Sequence, residues 1–220
     1  MKHLARLMLL TLSFFVCLLL SLSLSTAAQD SDTDDPDWQH QFHLTSSTFE
    51  NDTTLPLSTL SNITVNGSNA CSLDGSAGGN QSPELSWGHA KRGTRSFVVI
   101  AYDTTAAFTH WGMYNISHRA TGLPENAGVA GSKYGDQIFN DFFIGAEYDG
   151  PCPPANVKPF VHHYVFTVYA LDIVLRLPSS ANFPASAETL YQALIKAGKE
   201  GHILESASIT GLYSTTPQPE

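Results

Sequence analysis

Gly150-Pro-Cys-Pro-Pro-Ala-Asn-Val-Lys-Pro-Phe-Val-His162-His163-Tyr164-Val-Phe-Thr-Val-Tyr-Ala-Leu-Asp172 is the stretch whose reading decides the fold. Its first half is punctuated by prolines, which lack a backbone donor and fix φ, so it reads as loop. Residues 164–171 are aromatic and β-branched, which suits a buried strand. Side chains alternate along a strand, so His162 and Tyr164 share one face while His163 points to the other. A histidine and a tyrosine at the start of a strand, beside a rigid loop, suit a small polar pocket. They suit two satisfied structural residues equally well, and this stretch alone leaves both readings open.

Working outward, residues 97–103 form a near-continuous apolar run that ends in Asp103. As a strand, the run puts Asp103 on the face of Phe97, Val99 and Ala101. A carboxylate there is also a common turn or cap residue. Residues 104–109 read as a short loop and 110–116 as the next strand, with His110, Gly112 and Tyr114 on one face. Residues 41–45 alternate and open a first strand. Residues 50–79 read as loops and short edge strands, 79–87 lead into the central strands, and 121–139 are glycine-rich loop. Residues 182–198 are the one good helix, with Ser186 as N-cap, Glu188 in the first turn, and Gly198 to end it. Leu190, Tyr191, Leu194 and Ile195 give it an apolar face. Residues 203–213 form a final strand. This is a mainly β pattern with one late helix, not alternating βαβ.

The first 28 residues read as a secretory signal peptide: Lys2 and Arg6, an apolar run over 7–24, then Thr26-Ala27-Ala28. If that segment is uncleaved, it is also the one expected membrane contact. Removing 28 residues from 220 leaves 192, and losing Lys2 and Arg6 moves the formal charge from −9 to −11. An acidic chain without a basic cluster argues against nucleic acid or anionic membrane as partner. Residues 29–40 form an acidic tail expected to be disordered. A single domain is expected over 41–215, with a flexible end at 216–220. Cys17 leaves with the leader, and an exported location is oxidising. Cys71 and Cys152 are therefore expected to form a disulfide, against the alternative of two buried thiols. Neither lies in a Cys-x-x-Cys motif.

Chemistry-bearing motifs are mostly lacking. There is no Gly-x-Ser-x-Gly elbow, His-Glu-x-x-His pair, phosphate-cradling Gly-Lys-Ser/Thr loop or dinucleotide fingerprint, so no cofactor is expected. His162 and His163 are adjacent and cannot reach one metal from a strand, and no metal site is expected. What remains is Asp103, His110, His162 and Tyr164 near strand ends, with the loop at Cys152. Imidazolium and hydroxyl donors with an orienting carboxylate suit a small anion or phosphate ester. If the imidazoles supply charge, affinity rises as pH falls through about 6–7. Four acceptor-type triplets for N-glycosylation begin at Asn51, Asn62, Asn66 and Asn115 and matter only in a eukaryotic secretory pathway.

Six elements, in order, resemble the phosphatidylethanolamine-binding protein (PEBP) family in its bacterial Raf-kinase-inhibitor-like branch. They are Gly79-Asn80-x-Ser82-Pro83-x-Leu85-Ser86-Trp87; the strand into Asp103; Phe108-Thr109-His110-Trp111-x-x-Tyr114-Asn115-Ile116; Asn140-Asp141-Phe142; Gly150-Pro151-Cys152-Pro153-Pro154; and His162-x-Tyr164 through Asp172. The closing segments Gly201-His202-Ile203-Leu204 and Thr210-Gly211-x-Tyr213 also fit. The resemblance implies a large central β-sheet with a second small sheet and a late C-terminal helix. It also implies an anion pocket at Asp103, His110, Pro153, Pro154, His162 and Tyr164, open to a small anionic ligand or a phospholipid head group. Where the family has Asp-Pro-Asp-Ala-Pro, this chain has Asp103-Thr104-Thr105-Ala106-Ala107, and His163 stands where Arg is usual. A second carboxylate and two prolines are thus missing from the pocket rim. Two alternatives stay open. One is an inhibitor of a secreted protease or other extracellular partner, acting through a surface loop such as 121–137. The other is a phosphate-ester hydrolase with His110 or His162 as acid/base.

Overall fold

The structure, a computed structural model, describes residues 41–180 and 184–218. The expected leader and acidic tail, residues 182 and 183 of the expected helix, and residues 219 and 220 lie outside the described residues. In chain order the strands are β1 (His43–Thr45), β2 (Thr53–Thr54), β3 (Thr64–Val65), β4 (Ser68–Asn69), β5 (Leu85–Gly88), β6 (Ser96–Asp103) and β7 (Phe108–Ser117). They continue with β8 (Gly122–Leu123), β9 (Asp136–Gln137), β10 (His162–Leu171) and, after helix α1 (Ala187–Lys199), β11 (Ile203–Tyr213). A six-stranded sheet has the order β2-β11-β10-β6-β7-β9, a three-stranded sheet the order β1-β5-β8, and β3 pairs with β4 alone. Pairing is antiparallel except between β2 and β11. The fold is mainly β, as the sequence indicates.

The apolar run in β6 follows from cover on both faces of the large sheet. Phe97, Val99 and Ala101 join Leu44, Leu85, Trp87 and Leu123 of the small sheet in one core. Val98 and Ile100 join Leu190 and Leu194 of α1 in the other. Trp87 packs on Phe97 with ring centroids 5.2 Å apart. The alternation of β6 therefore sends Asp103 to the small-sheet side.

Helix α1 starts at Ala187, later than the sequence pattern suggests. Ser186 is extended, and its hydroxyl accepts from the Thr189 amide while the Thr189 hydroxyl accepts from the Ser186 amide. Glu188 in the first turn and Lys196 and Lys199 in the last complement the helix dipole. The buried face is Ala187, Leu190, Leu194 and Ala197; Ile195, expected on it, is 49% exposed. The helix passes Gly198 and stops before Gly201, where φ is +77°.

Three further expectations shift. Residues 79–87 lead to β5 in the small sheet, not to the central one. The 121–139 loop contains β8 and β9, one added to each sheet. Strand β7 begins at Phe108, so the β6–β7 turn is tighter than residues 104–109, with Ala107 at φ +54°.

Candidate functional site

The β6–β10 pairing sets Asp103 directly opposite Tyr164. His162, two residues before Tyr164, lies on the same face. The His162 Nδ1 is 2.6 Å from Oδ2 of Asp103, and both side chains are buried. The other Asp103 oxygen accepts from the amides of Thr105 and Ala106. Asp103 is therefore a turn cap and a histidine partner at once; the two readings of it are compatible.

His110 reaches this face by a bulge. Ala101 pairs with Trp111 and Tyr102 with Thr109, so His110 is an extra residue in β7. The expected alternation with Gly112 and Tyr114 breaks there. A Cβ on Gly112 would meet Ile138 and Leu190 on the helix side, and Tyr114 packs in the helix-side core. The His110 ring instead sits 5.2 Å from that of Tyr164. His110 Nδ1 is 2.7 Å from the Asp149 carbonyl, and the Asp149 amide donates back to the His110 carbonyl. A carbonyl only accepts, so Nδ1 carries the proton and Nε2 is the lone-pair nitrogen of the neutral ring. Burial pushes the His110 pKa below its ordinary value, outweighing the Asp149 carbonyl and the nearby Asp103 charge.

Asp149 is itself fixed. Its carboxylate accepts from the side-chain amides of Asn80 and Asn140, while the Asn80 carbonyl oxygen accepts from the Gly150 amide. The proline loop is tied down further by the Cys71–Cys152 disulfide, by Ser61 donating to the Pro151 carbonyl, and by the Thr215 hydroxyl donating to the Pro153 carbonyl. The loop ends up against the ends of β6, β7 and β10.

Asp103, His110, Cys152, Pro153, Pro154, His162 and Tyr164 line one cavity of about 170 Å³, completed by Ala106, Phe108 and Phe142. All six residues named from the sequence as a pocket are thus brought together. The sequence reading missed Phe108, Phe142 and the anchors Asn80, Asn140 and Asp149. Most of them lie inside motifs quoted above, but nothing in a motif says which side chain turns inward. Phe142 packs edge-on against Phe108, 4.7 Å away, and closes an apolar wall. Neither Nε2 of His162 nor the Tyr164 hydroxyl makes a hydrogen bond among the described residues. No buried side-chain polar atom there lacks a partner, so both atoms keep accessible surface. Burial raises the Tyr164 pKa far above its ordinary value, so it stays a phenol and a donor. A larger cavity of about 560 Å³ between Phe139, Phe143, Pro184 and Thr189 has no titratable side chain among its described lining residues.

A fold of two packed β-sheets with a late helix, and a cavity where three strand ends meet a proline loop, define the class. Residues 45–214 match the sequence model described as phosphatidylethanolamine-binding protein, and the chain belongs to that family. A UPF0098 protein of Methanothermobacter thermautotrophicus is 39% identical over 142 residues, covering 62% of this chain and 84% of the relative. The Escherichia coli UPF0098 protein YbcL is 37% identical over 147 residues, covering 63% and 74%. The crystal structure of YbcL, described as a new member of the mammalian PEBP family, matches with a TM-score of 0.61 at 30% identity, over 79% of this chain and 98% of YbcL.

Proposed function

We propose that this protein is an exported binding protein whose cavity takes a small anion of the phosphate or phospholipid head-group type. The observation that carries the reading is the convergence of the Asp103–His162 pair, His110 and Tyr164 on one small cavity walled by the proline loop. Tyr164 offers an O–H donor. His162, with Nδ1 turned to Asp103, offers Nε2–H once protonated, and Asp103 balances its charge. His110 contributes an acceptor at Nε2, matching a protonated anion oxygen. At about 170 Å³ the cavity is below the usual few hundred Å³ of drug-sized sites, so it suits a head group rather than a whole lipid. The Cys71–Cys152 disulfide supports export, since such bonds persist in oxidising compartments.

Two measurements on the secreted, purified protein test the reading. N-terminal sequencing is expected to begin at Gln29, and native mass spectrometry to find a co-purifying phosphate or phosphate diester. Retention in the cell with an intact leader would contradict export. A ligand that carries no anionic group in the cavity would contradict the anion assignment.

A further inference from the structure

We infer that Asn62 and Asn66 are N-glycosylation acceptors, and that their glycans cover the exposed apolar face of the β3–β4 hairpin. The inference rests on the export reading above, with export through a eukaryotic secretory pathway, where such triplets are acceptors. The four acceptor-type triplets are alike as strings, but the fold separates them. Asn115 is half-buried in a bulge of β7. Its amide nitrogen donates to the Asp136 carboxylate and the Leu175 carbonyl, and its oxygen accepts from the Leu175 amide. The hydroxyl of its triplet, on Ser117, accepts from the Arg119 amide. A glycan on Asn115 would remove one amide hydrogen that the fold uses. In the Asn51 triplet the Asn51 nitrogen donates to Asp52, its oxygen accepts from Thr210, and the Thr53 hydroxyl donates to Glu50.

Asn62 and Asn66 differ on every count. Both are exposed, as are Thr64 and Ser68, which complete their triplets. Neither the two amides nor the two hydroxyls make a hydrogen bond among the described residues. Asn66 and Gly67, at φ +52° and +84°, form the two-residue turn between β3 and β4. That is the Asn-Gly geometry favoured in tight hairpins, and it holds the Asn66 side chain at the tip.

A second observation says what the glycans would do. Among the described residues the hairpin pairs with no other strand, and it exposes Ile63 (44%) and Val65 (53%), which lie between the two asparagines. Isolated two-stranded hairpins are marginal and invite edge pairing. Bulky hydrophilic chains at Asn62 and Asn66 would screen both apolar side chains.

The reaction is a group transfer from a lipid-linked oligosaccharide in the secretory compartment. The Asn amide nitrogen bonds to C1 of the first sugar, the C1–oxygen bond to the lipid pyrophosphate breaks, and the pyrophosphate leaves with the electron pair as the amide loses a proton. No redox partner is involved.

The test secretes the full chain, with its own leader, from a eukaryotic host. The glycans are released by an amidase in heavy-oxygen water, and former acceptor asparagines are read as labelled aspartates by peptide mass spectrometry. Label is expected at residues 62 and 66 and not at 115, and gel mobility is expected to rise stepwise in N62Q, N66Q and the double variant. Secreted protein with both asparagines bare, or label at Asn115 in the folded fraction, overturns the inference and leaves export standing. Protein retained with an intact leader overturns the export reading and this inference with it.

Discussion

Asp103 and His162 form the hinge of the site, but the group with the clearest electrostatic signature is His110. Its pKa is held below the ordinary 6.5 by burial. The unfolded chain therefore binds a proton more readily than the folded one. The stabilisation is fully present above about pH 6.5 and is lost as pH falls through that value toward the folded pKa. Urea denaturation of the wild type is expected to show falling stability between about pH 7 and pH 5, and a flatter profile in His110→Asn, which keeps a donor near the Nδ1 position. Equal slopes in the two proteins would mean that other groups set the acid limit. Tyr164 gives a second test. Its phenol does not ionise at accessible pH, so Tyr164→Phe should weaken sulfate binding by about 0.5–1.5 kcal/mol, as for one neutral hydrogen bond, by an amount that does not change with pH. Titration at two pH values checks this.

At the scale of elements, the pocket wall is a loop held by a covalent bond and a close backbone approach. The Cys71–Cys152 bond closes a separation of 81 residues. On the chain-entropy model it contributes about 4–5 kcal/mol, so a Cys71→Ser/Cys152→Ser double variant should lose stability of that order in urea denaturation. Thiol labelling of the unfolded, unreduced wild type should find no free Cys71 or Cys152. Gly150 lies against the backbone of residues 59–61, and an added Cβ would collide with the Thr59 carbonyl oxygen, the Ser61 amide and the Leu60 carbonyl carbon. None of these is a side chain that can swing away. Gly150→Ala should therefore cost about 1–3 kcal/mol and weaken anion binding together, read by denaturation and sulfate titration on the same sample. The elements were unevenly legible. Strand β11 and the Ser186 cap follow directly from alternation and capping chemistry. The start of α1 is set by the local Ser186–Thr189 exchange, which a window of helical periodicity blurs. The His110 bulge has no local signature; it exists because Asp149, a partner 39 residues away, accepts from the His110 ring with its carbonyl and donates its amide to the His110 carbonyl.

At the scale of the whole molecule, two sheets and a proline loop bring three distant segments to one cavity. The residue types of that cavity were legible because Asp, His and Tyr at strand ends are chemically conspicuous. Its apolar wall was not, since Phe108 and Phe142 look like ordinary core residues until the loops are placed. The loop 104–107 has no proline, and its Thr105 and Ala106 amides fix the Asp103 carboxylate. What the fold assembles is one histidine paired to a carboxylate, one histidine held neutral by burial, and a phenol donor.

The most direct measurement is a calorimetric titration of sulfate into the wild-type protein and into His162→Ala, from about pH 8 to about pH 5. Sulfate stays doubly charged over that range, whereas phosphate takes up a second proton near pH 6. The expected result is single-site binding that tightens in the wild type as pH falls, since an imidazolium is a stronger anion donor than a neutral imidazole. In folded His162→Ala the tightening should be largely lost. Affinity that is flat with pH in the wild type, or binding that His162→Ala leaves unchanged, would contradict an anion site built on this pair.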